Sequence, residues 1–300
     1  MLDFRVETFL AVCRHMNFTK AARELNITQP AVSHHIHYLE QTYGTALFQH
    51  NGKRLQLTEA GEILRRTLLT MKHDEQHLQN RMQQAASGTR DYSFGATLSV
   101  AEFMINEALG RFLQLHPDSH IQMQVADTKV LLSKLDSGEL DFAVVEGDFP
   151  KAEYDFFVFG TEEYVAAGDP EKAARYRGRR LTDLLVEPLL LREEGSGTRV
   201  ILEYYLKEHG LAVADFAHTV EIGNIGAIKT LLKSGYGVSF LYRAAIRPEE
   251  AAGTLGVIEL SDFRLRHDIM FLFPKNSNFR ADYTAIFREL RACAEETGSA

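Results

Sequence analysis

The sequence predicts three parts in order: an all-α N-terminal head with a two-stranded wing, one long linker helix, and a two-lobed α/β domain. Three observations carry this reading. Apolar residues recur at helical spacing through the first forty-odd positions, and a hairpin signal, Asn51-Gly52, follows them. After Gly61, neither proline nor glycine interrupts a helical pattern until Gly88. Beyond that point short β-rich runs alternate with amphipathic stretches, the pattern of βα units in a mostly parallel, wound sheet.

Composition bounds the possibilities. A chain of 300 residues with 45% hydrophobic and 25% charged content is expected to be an ordinary globular protein of two or three domains. The opening MLDFRVETFL carries acids where an export leader would be basic, and no run of 18 apolar residues occurs. Neither export nor a membrane span is expected. Only Cys13 and Cys293 are present, which argues against a disulfide scaffold or a cysteine zinc site and fits a reducing cytoplasm. The net charge of -8 hides an asymmetry: residues 1–66 hold eight Lys/Arg against six Asp/Glu. A mildly basic head on an acidic body is the balance expected if only the head meets nucleic acid.

In the head, Val6, Phe9, Leu10 and Cys13 make 3–15 an amphipathic helix. Asn17 or Thr19 caps a second, in which the small Ala21 and Ala22 permit close approach of a neighbour. Thr28 caps the third, with Pro30 in its first turn and Gly44 at its end. Val32, Ile36, Leu39 and Tyr43 form its inward stripe, leaving Gln29, Ser33, His34 and His37 opposite. Two short helices joined by a tight turn, the second exposing small hydrogen-bonding side chains, form a helix-turn-helix whose second helix fits the major groove. Lys53 and Arg54 at the hairpin tip would meet phosphates. Three histidines at 34, 35 and 37 also invite a metal reading, but no Cys, Asp or Glu completes a ligand set beside them.

The run FTKAARELNITQPAVSHHIHYLEQTYGTALFQHNGKRLQLTEAG resembles the N-terminal winged helix-turn-helix of LysR-type bacterial transcriptional regulators. The matching features are the AA pair, TQPAVS, I-x-x-LE, G-x-x-LF and LT-x-AG at fixed spacings. The resemblance implies that Gln29, Pro30, Ser33 and His34 lie at or near DNA. The candidate DNA contacts are therefore Thr19, Lys20, Thr28, Gln29, Pro30, Ser33, His34, His37, His50, Lys53 and Arg54. The family usually has Arg at positions 34, 50 and 53, where this chain has His, His and Lys. Fewer permanent charges predict weaker phosphate binding that depends on pH in the range where histidine titrates.

The linker pattern places Leu64, Leu68, Met71, Glu75, Leu78, Met82 and Ala85 at alternating spacings of four and three, a coiled-coil seam with one polar break. Such a helix spans roughly 40 Å at about 1.5 Å per residue and predicts pairing of two subunits. His73 and His77 at i, i+4 are expected on a solvated face. Domains are thus expected at 1–58 (head), 59–88 (linker) and 89–300, the last with one lobe at about 91–161 and 266–300 and the other at about 162–265.

The last two hundred residues read as strands at YSFGAT, HIQMQVA, DFAVVEG, PLLLRE, HTVEIG, VSFLY and HDIMFLFP. The helices among them are expected at 100–115, TKVLLSKLDSG, 197–209, 224–234 and 280–296. The crossing pattern resembles the effector domain of the same family, which is itself periplasmic-binding-protein-like. A cleft between such lobes binds ligands at strand ends where helix N-termini point inward. The resemblance implies effector contacts at Thr97, Ser99, Ser196 and Thr198. Chemistry adds Arg199 as a bidentate anion partner and Asn224. Glu146 would oppose an anion, and is expected either to bind an amino or hydroxyl group or to face solvent.

No G-x-S-x-G, H-E-x-x-H or Walker-type loop occurs, so catalysis, a metal and a cofactor are not expected. The resemblance implies a cytoplasmic regulator that reads a dyad site on double-stranded DNA under control of a small, anionic effector. It also implies self-assembly into homodimers and dimers of dimers, with altered DNA bending or RNA polymerase contact. Two rivals stay open: a solute-binding protein or two-lobed enzyme with an incidental helical N-terminus, and an architectural DNA binder without an effector.

Overall fold

The computed structural model describes residues 3–52, 54–87 and 90–297. The head contains α1 (Phe4–His15), α2 (Phe18–Glu24) and α3 (Gln29–Tyr43), followed by the hairpin β1 (Phe48–Asn51) and β2 (Arg54–Leu57). Each helix starts where a side chain satisfies a free N–H: Asp3 for α1, Asn17 for α2 and Thr28 for α3. Gly44 stops α3 at φ +67°. Val32, Ile36 and Leu39 are buried against Phe9, Leu10, Val12, Ala21 and Ala22. Tyr43, expected on the same stripe, is 54% exposed because it lies one turn beyond the last buried residue of α3.

Helix α4 (Glu59–Ser87) begins at Thr58, whose Oγ1 accepts from the Gly61 N–H at 3.0 Å. Its predicted seam divides. Leu64 and Leu68 pack into the head, whereas Met71, Leu78 and Met82 are exposed. The expected end of the linker, at Gly88, falls outside the described residues.

His73 and His77 are not on a solvated face. Both are buried where α4 lies along the α/β domain. His73 Nε2 pairs with the Leu140 carbonyl at 2.9 Å, and His77 Nδ1 with Asp141 Oδ1 at 2.9 Å. Between them Asp74 accepts from Ser277 Oγ at 2.5 Å and from both nitrogens of Asn278 at 2.9 Å. Arg65 reaches Glu153 at 2.6 Å, and Lys72 ties α4 back to Glu7 of α1 at 2.8 Å.

The α/β domain opens with β3 (Arg90–Ala96), α5 (Leu98–Phe103), α6 (Asn106–Leu115), β4 (Ser119–Val125), α7 (Thr128–Ser137), β5 (Phe142–Val145) and β6 (Tyr154–Gly168). Next come α8 (Pro170–Arg175), β7 (Pro188–Leu191), α9 (Gly197–Glu208), β8 (His218–Glu221), α10 (Ile225–Lys233), β9 (Val238–Tyr242), α11 (Arg247–Ala251) and β10 (Gly256–Ile258). β11 (Leu265–Pro274) and α12 (Arg280–Thr297) complete the chain's return.

One sheet runs in the order β4-β3-β5-β11-β6-β9-β7-β8, with β10 on β6. It is mixed rather than mostly parallel. β3 pairs in parallel with β4 and β5, and β7 with β8 and β9, while β6 and β11 run antiparallel to their neighbours. These two long strands pair from Tyr154↔Pro274 to Tyr164↔Leu265 and thread both lobes, with a register irregularity at Ile269/Met270. The helix expected at 100–115 is two helices, because Met104 N and Ile105 N both bond the Val100 carbonyl and break the ladder.

Candidate functional site

Two surfaces combine the side chains singled out from the sequence. The first lies on the head. Gln29, Pro30, His34 and His37 are exposed on α3 and Ser33 is half-buried, so the helix presents a polar stripe away from its core. Gln29 Nε2 donates to Ser33 Oγ at 2.9 Å, one turn apart, which holds two hydrogen-bonding groups in register along that stripe. His37 pairs with Gln41 at 3.0 Å. His35 turns the other way, meeting Thr8 Oγ1 at 3.0 Å and the Phe4 ring. The three histidines therefore diverge. Thr19, Lys20, Thr28, His50 and Arg54 are exposed as well, and Lys53 lies outside the described residues.

The second surface is the seam between the lobes. Thr97 and Ser196 each occupy an N-cap position, before α5 and α9, yet neither side chain caps its helix. Both are buried, at 4% and 3% exposed. A serine or threonine in that position ordinarily spends its hydroxyl on the N3 amide. Here the Thr97 hydroxyl donates to the Glu146 carboxylate instead. Ser99 and Thr198, from opposite lobes, meet at 3.2 Å. Tyr164 fixes this wall by donating to the carbonyls of Thr198 at 2.8 Å and Phe240 at 3.1 Å.

Glu146 does not face solvent; it is 3% exposed and lies against the first turn of α9. A Cβ built on Gly197 would sit 3.4 Å from its Oε1. Burial pushes its carboxyl up, while hydrogen bonds from Thr97 and Ser99 oppose that shift.

Two expected contacts stand apart from this cluster. Arg199 is not free to grip an anion: its guanidinium bonds Glu203 at 2.6 Å and Glu221 at 2.7 Å, both in its own lobe. Asn224 is exposed and spends its side-chain oxygen capping α10 at Ala227 N, 2.9 Å. The cation nearer the cleft is Arg192, 5% exposed and bidentate to Glu193 at 2.6 Å. Its signal in the sequence was an arginine directly after a fully apolar strand, PLLL, and just before GSGT. A cavity of about 640 Å³ lies elsewhere, between α1, α4 and α7, with Arg14, Arg65, Lys129 and Asp136 in its wall. Burial pushes the Cys13 thiol at its edge up to about 12, which leaves it a poor nucleophile.

Among the described residues no helix is long and apolar enough to cross a membrane. Residues 85–294 match the family model described as LysR substrate binding domain, and residues 5–62 that of the bacterial regulatory helix-turn-helix protein, lysR family. The chain is 28% identical to the RuBisCO operon transcriptional regulator of Acidithiobacillus ferrooxidans over 97% of its own length and 94% of that protein. It is 25% identical to the HTH-type transcriptional regulator CysL of Bacillus subtilis, over 89% of each chain. In fold it resembles full-length LysG of Corynebacterium glutamicum with bound effector Arg. That match has a TM-score of 0.61 and 18% identity, and it covers 99% of both chains.

Proposed function

The chain belongs to the LysR family of bacterial transcriptional regulators, and from that premise we propose how its two surfaces are used. It is a DNA-binding regulator with an effector-binding domain. Gln29, Ser33, His34 and His37 read base edges from the major groove, Pro30 packs against the groove wall, and Thr28 and the wing residues His50, Lys53 and Arg54 hold phosphates with Thr19 and Lys20. Two copies pair through the exposed Met71, Leu78 and Met82 of α4, so that the paired heads read a dyad. Assembly as dimers of dimers and contact with RNA polymerase belong to the same reading.

The effector is a small anion held between the lobes by Thr97, Ser99, Ser196 and Thr198. One observation carries this assignment. Two N-cap hydroxyls are withdrawn from their helices and buried, that of Thr97 on Glu146, while Ser99 and Thr198 meet across the lobes beside them, a use of Ser and Thr that helix formation alone does not require. Asn224, by contrast, is a cap, and Arg199 a strut.

Enrichment from a random double-stranded DNA pool tests the head. The full-length protein is expected to select a sequence with two-fold symmetry, and Gln29→Ala with Ser33→Ala to bind the selected site about 10- to 100-fold more weakly. Failure to enrich any symmetric sequence would remove the dyad reading.

A further inference from the structure

We infer that Glu146 makes the interlobe cleft selective for oxyanions that retain a proton donor, against fully ionised ones such as sulfate. The inference rests on the cleft being the effector site and adds a rule for what enters it.

The carboxylate is nine-tenths buried and lies in the middle of the donors an anion would use. It accepts a hydrogen bond from the Thr97 hydroxyl and rests on the first turn of α9, the positive end of a twelve-residue helix. Among the described residues no Lys, Arg or His lies within ion-pair distance of it. The facing ionisable groups are Arg192, already bidentate to Glu193, and the hydroxyls of Tyr164 and Tyr242. Tyr164 is committed to two carbonyls and Tyr242 pairs with His267 at 3.3 Å.

An anion entering this cleft therefore meets a second negative group that no cation neutralises. A sulfate offers only lone pairs, so the two repel at short range in a dry site. A hydrogen phosphate, a hydrogen sulfite or an amino acid offers an O–H or N–H. That donor turns the repulsion into a charge-assisted hydrogen bond to Glu146. The pair of Glu146 and bound oxyanion needs one proton between its members, and a ligand that brings its own binds without drawing one from solvent. Sites that require such a donor reject close analogues lacking it by large factors, because the buried group is left unpaired.

The test is calorimetric titration of the full-length protein at pH 8 with matched ions. Phosphate is set against sulfate, and the common α-amino acids against their deaminated carboxylates. The expected result is that donor-bearing members bind, by phosphate alone, by an amino acid alone or by both, and that the matched donor-free ion is at least about 100-fold weaker. Glu146→Gln, which removes the charge and supplies an N–H, is expected to admit the donor-free ion and cut the preference to within about 10-fold. Glu146→Asp, which keeps the charge, should keep the rejection and guards against a folding artefact in the first variant. Equal binding of both members by the wild type, or an unchanged preference in Glu146→Gln, overturns the role of Glu146 while leaving the cleft assignment standing. Silence of all three proteins toward every ion overturns the anion reading of the cleft itself, and the selectivity with it.

Discussion

Asp74→Ala is expected to destabilise the protein by about 3 kcal/mol, because it strips a buried junction of its central acceptor. Asp74 sits mid-way along α4 and is 7% exposed. Its two oxygens accept from Ser277 Oγ, Asn278 N and Asn278 Nδ2, all within 2.9 Å. Alanine leaves these donors in a site closed by His73, His77 and Tyr283, where each unpaired group costs about 1–3 kcal/mol.

The same carboxyl gives the loss a pH signature. Burial pushes Asp74 up, but the adjacent His73 ring and hydrogen bonds from Ser277 and Asn278 outweigh it and hold the group at about 2. A folded value below the unfolded one, about 3.9, means that the stabilisation is fully present above about pH 4. It is lost as pH falls through 2. Urea unfolding of wild type and variant should therefore differ most at neutral pH, with the gap shrinking from about pH 4 down to pH 2. A constant difference across that range would show that the junction does not depend on the carboxylate. The functional stake lies in which lobe is clamped. Arg65, Thr70, His73, Asp74 and His77 all grip residues of the lobe built on β3, β5 and β11: Glu153, Lys275, Leu140, Ser277, Asn278 and Asp141. The lobe carrying α9 has no such tie among these contacts, so on the proposed reading an effector held between the lobes would shift it against a frame fixed to the head, giving the two states an allosteric regulator requires.

The parts of this architecture legible in the sequence were those set by local rules. The cap Thr28, Asn17 as one of the two caps offered for α2, the stop at Gly44 and Val32, Ile36 and Leu39 of the predicted stripe follow from residue type and spacing alone. What failed depended on partners distant in the chain. His73 looked solvated because nothing near it in sequence predicts the Leu140 carbonyl that buries it. Arg199 looked free because Glu221, 22 residues on, comes into reach only once β8 is laid beside β7. The long strand β6 carries no single period: Tyr154–Val158 alternates between buried or half-buried and exposed residues, Tyr164–Gly168 is almost wholly buried, and between them the half-buried Glu162 and Glu163 pair with Arg247 and Arg243. Thr97 and Ser196 read correctly as helix-start residues, but only the fold reveals that their hydroxyls are not spent on capping.

Gly61→Ala carries the opposite lesson and a large expected effect. By helix propensity alone, alanine in the first turn of α4 should gain about 1 kcal/mol. Here the added Cβ would lie 2.2 Å from the Leu47 carbonyl oxygen and 2.7 Å from Leu57 Cδ2. Leu47 is pinned on both sides: its N–H donates to Glu40 at 2.9 Å and its carbonyl accepts from Thr58 N at 3.0 Å. Thr58 in turn donates to the Ala46 carbonyl at 2.7 Å while it caps Gly61. Backbone held this way cannot yield, so the clash must separate the wing from α4, at a net cost of about 3 kcal/mol. The wing would then no longer be held at a fixed angle to α3, and affinity for the selected DNA site should fall together with the thermal midpoint. Gly110→Ala is the matched control: it lies inside α6, nothing comes within 4 Å of its added Cβ, and it is expected to gain about 0.5–1 kcal/mol. Scanning calorimetry of the two variants should therefore give shifts of opposite sign. If Gly61→Ala instead raised the midpoint as Gly110→Ala does, the close approach of Leu47 to α4 would be wrong, and with it the reason LT-x-AG ends in glycine in this chain.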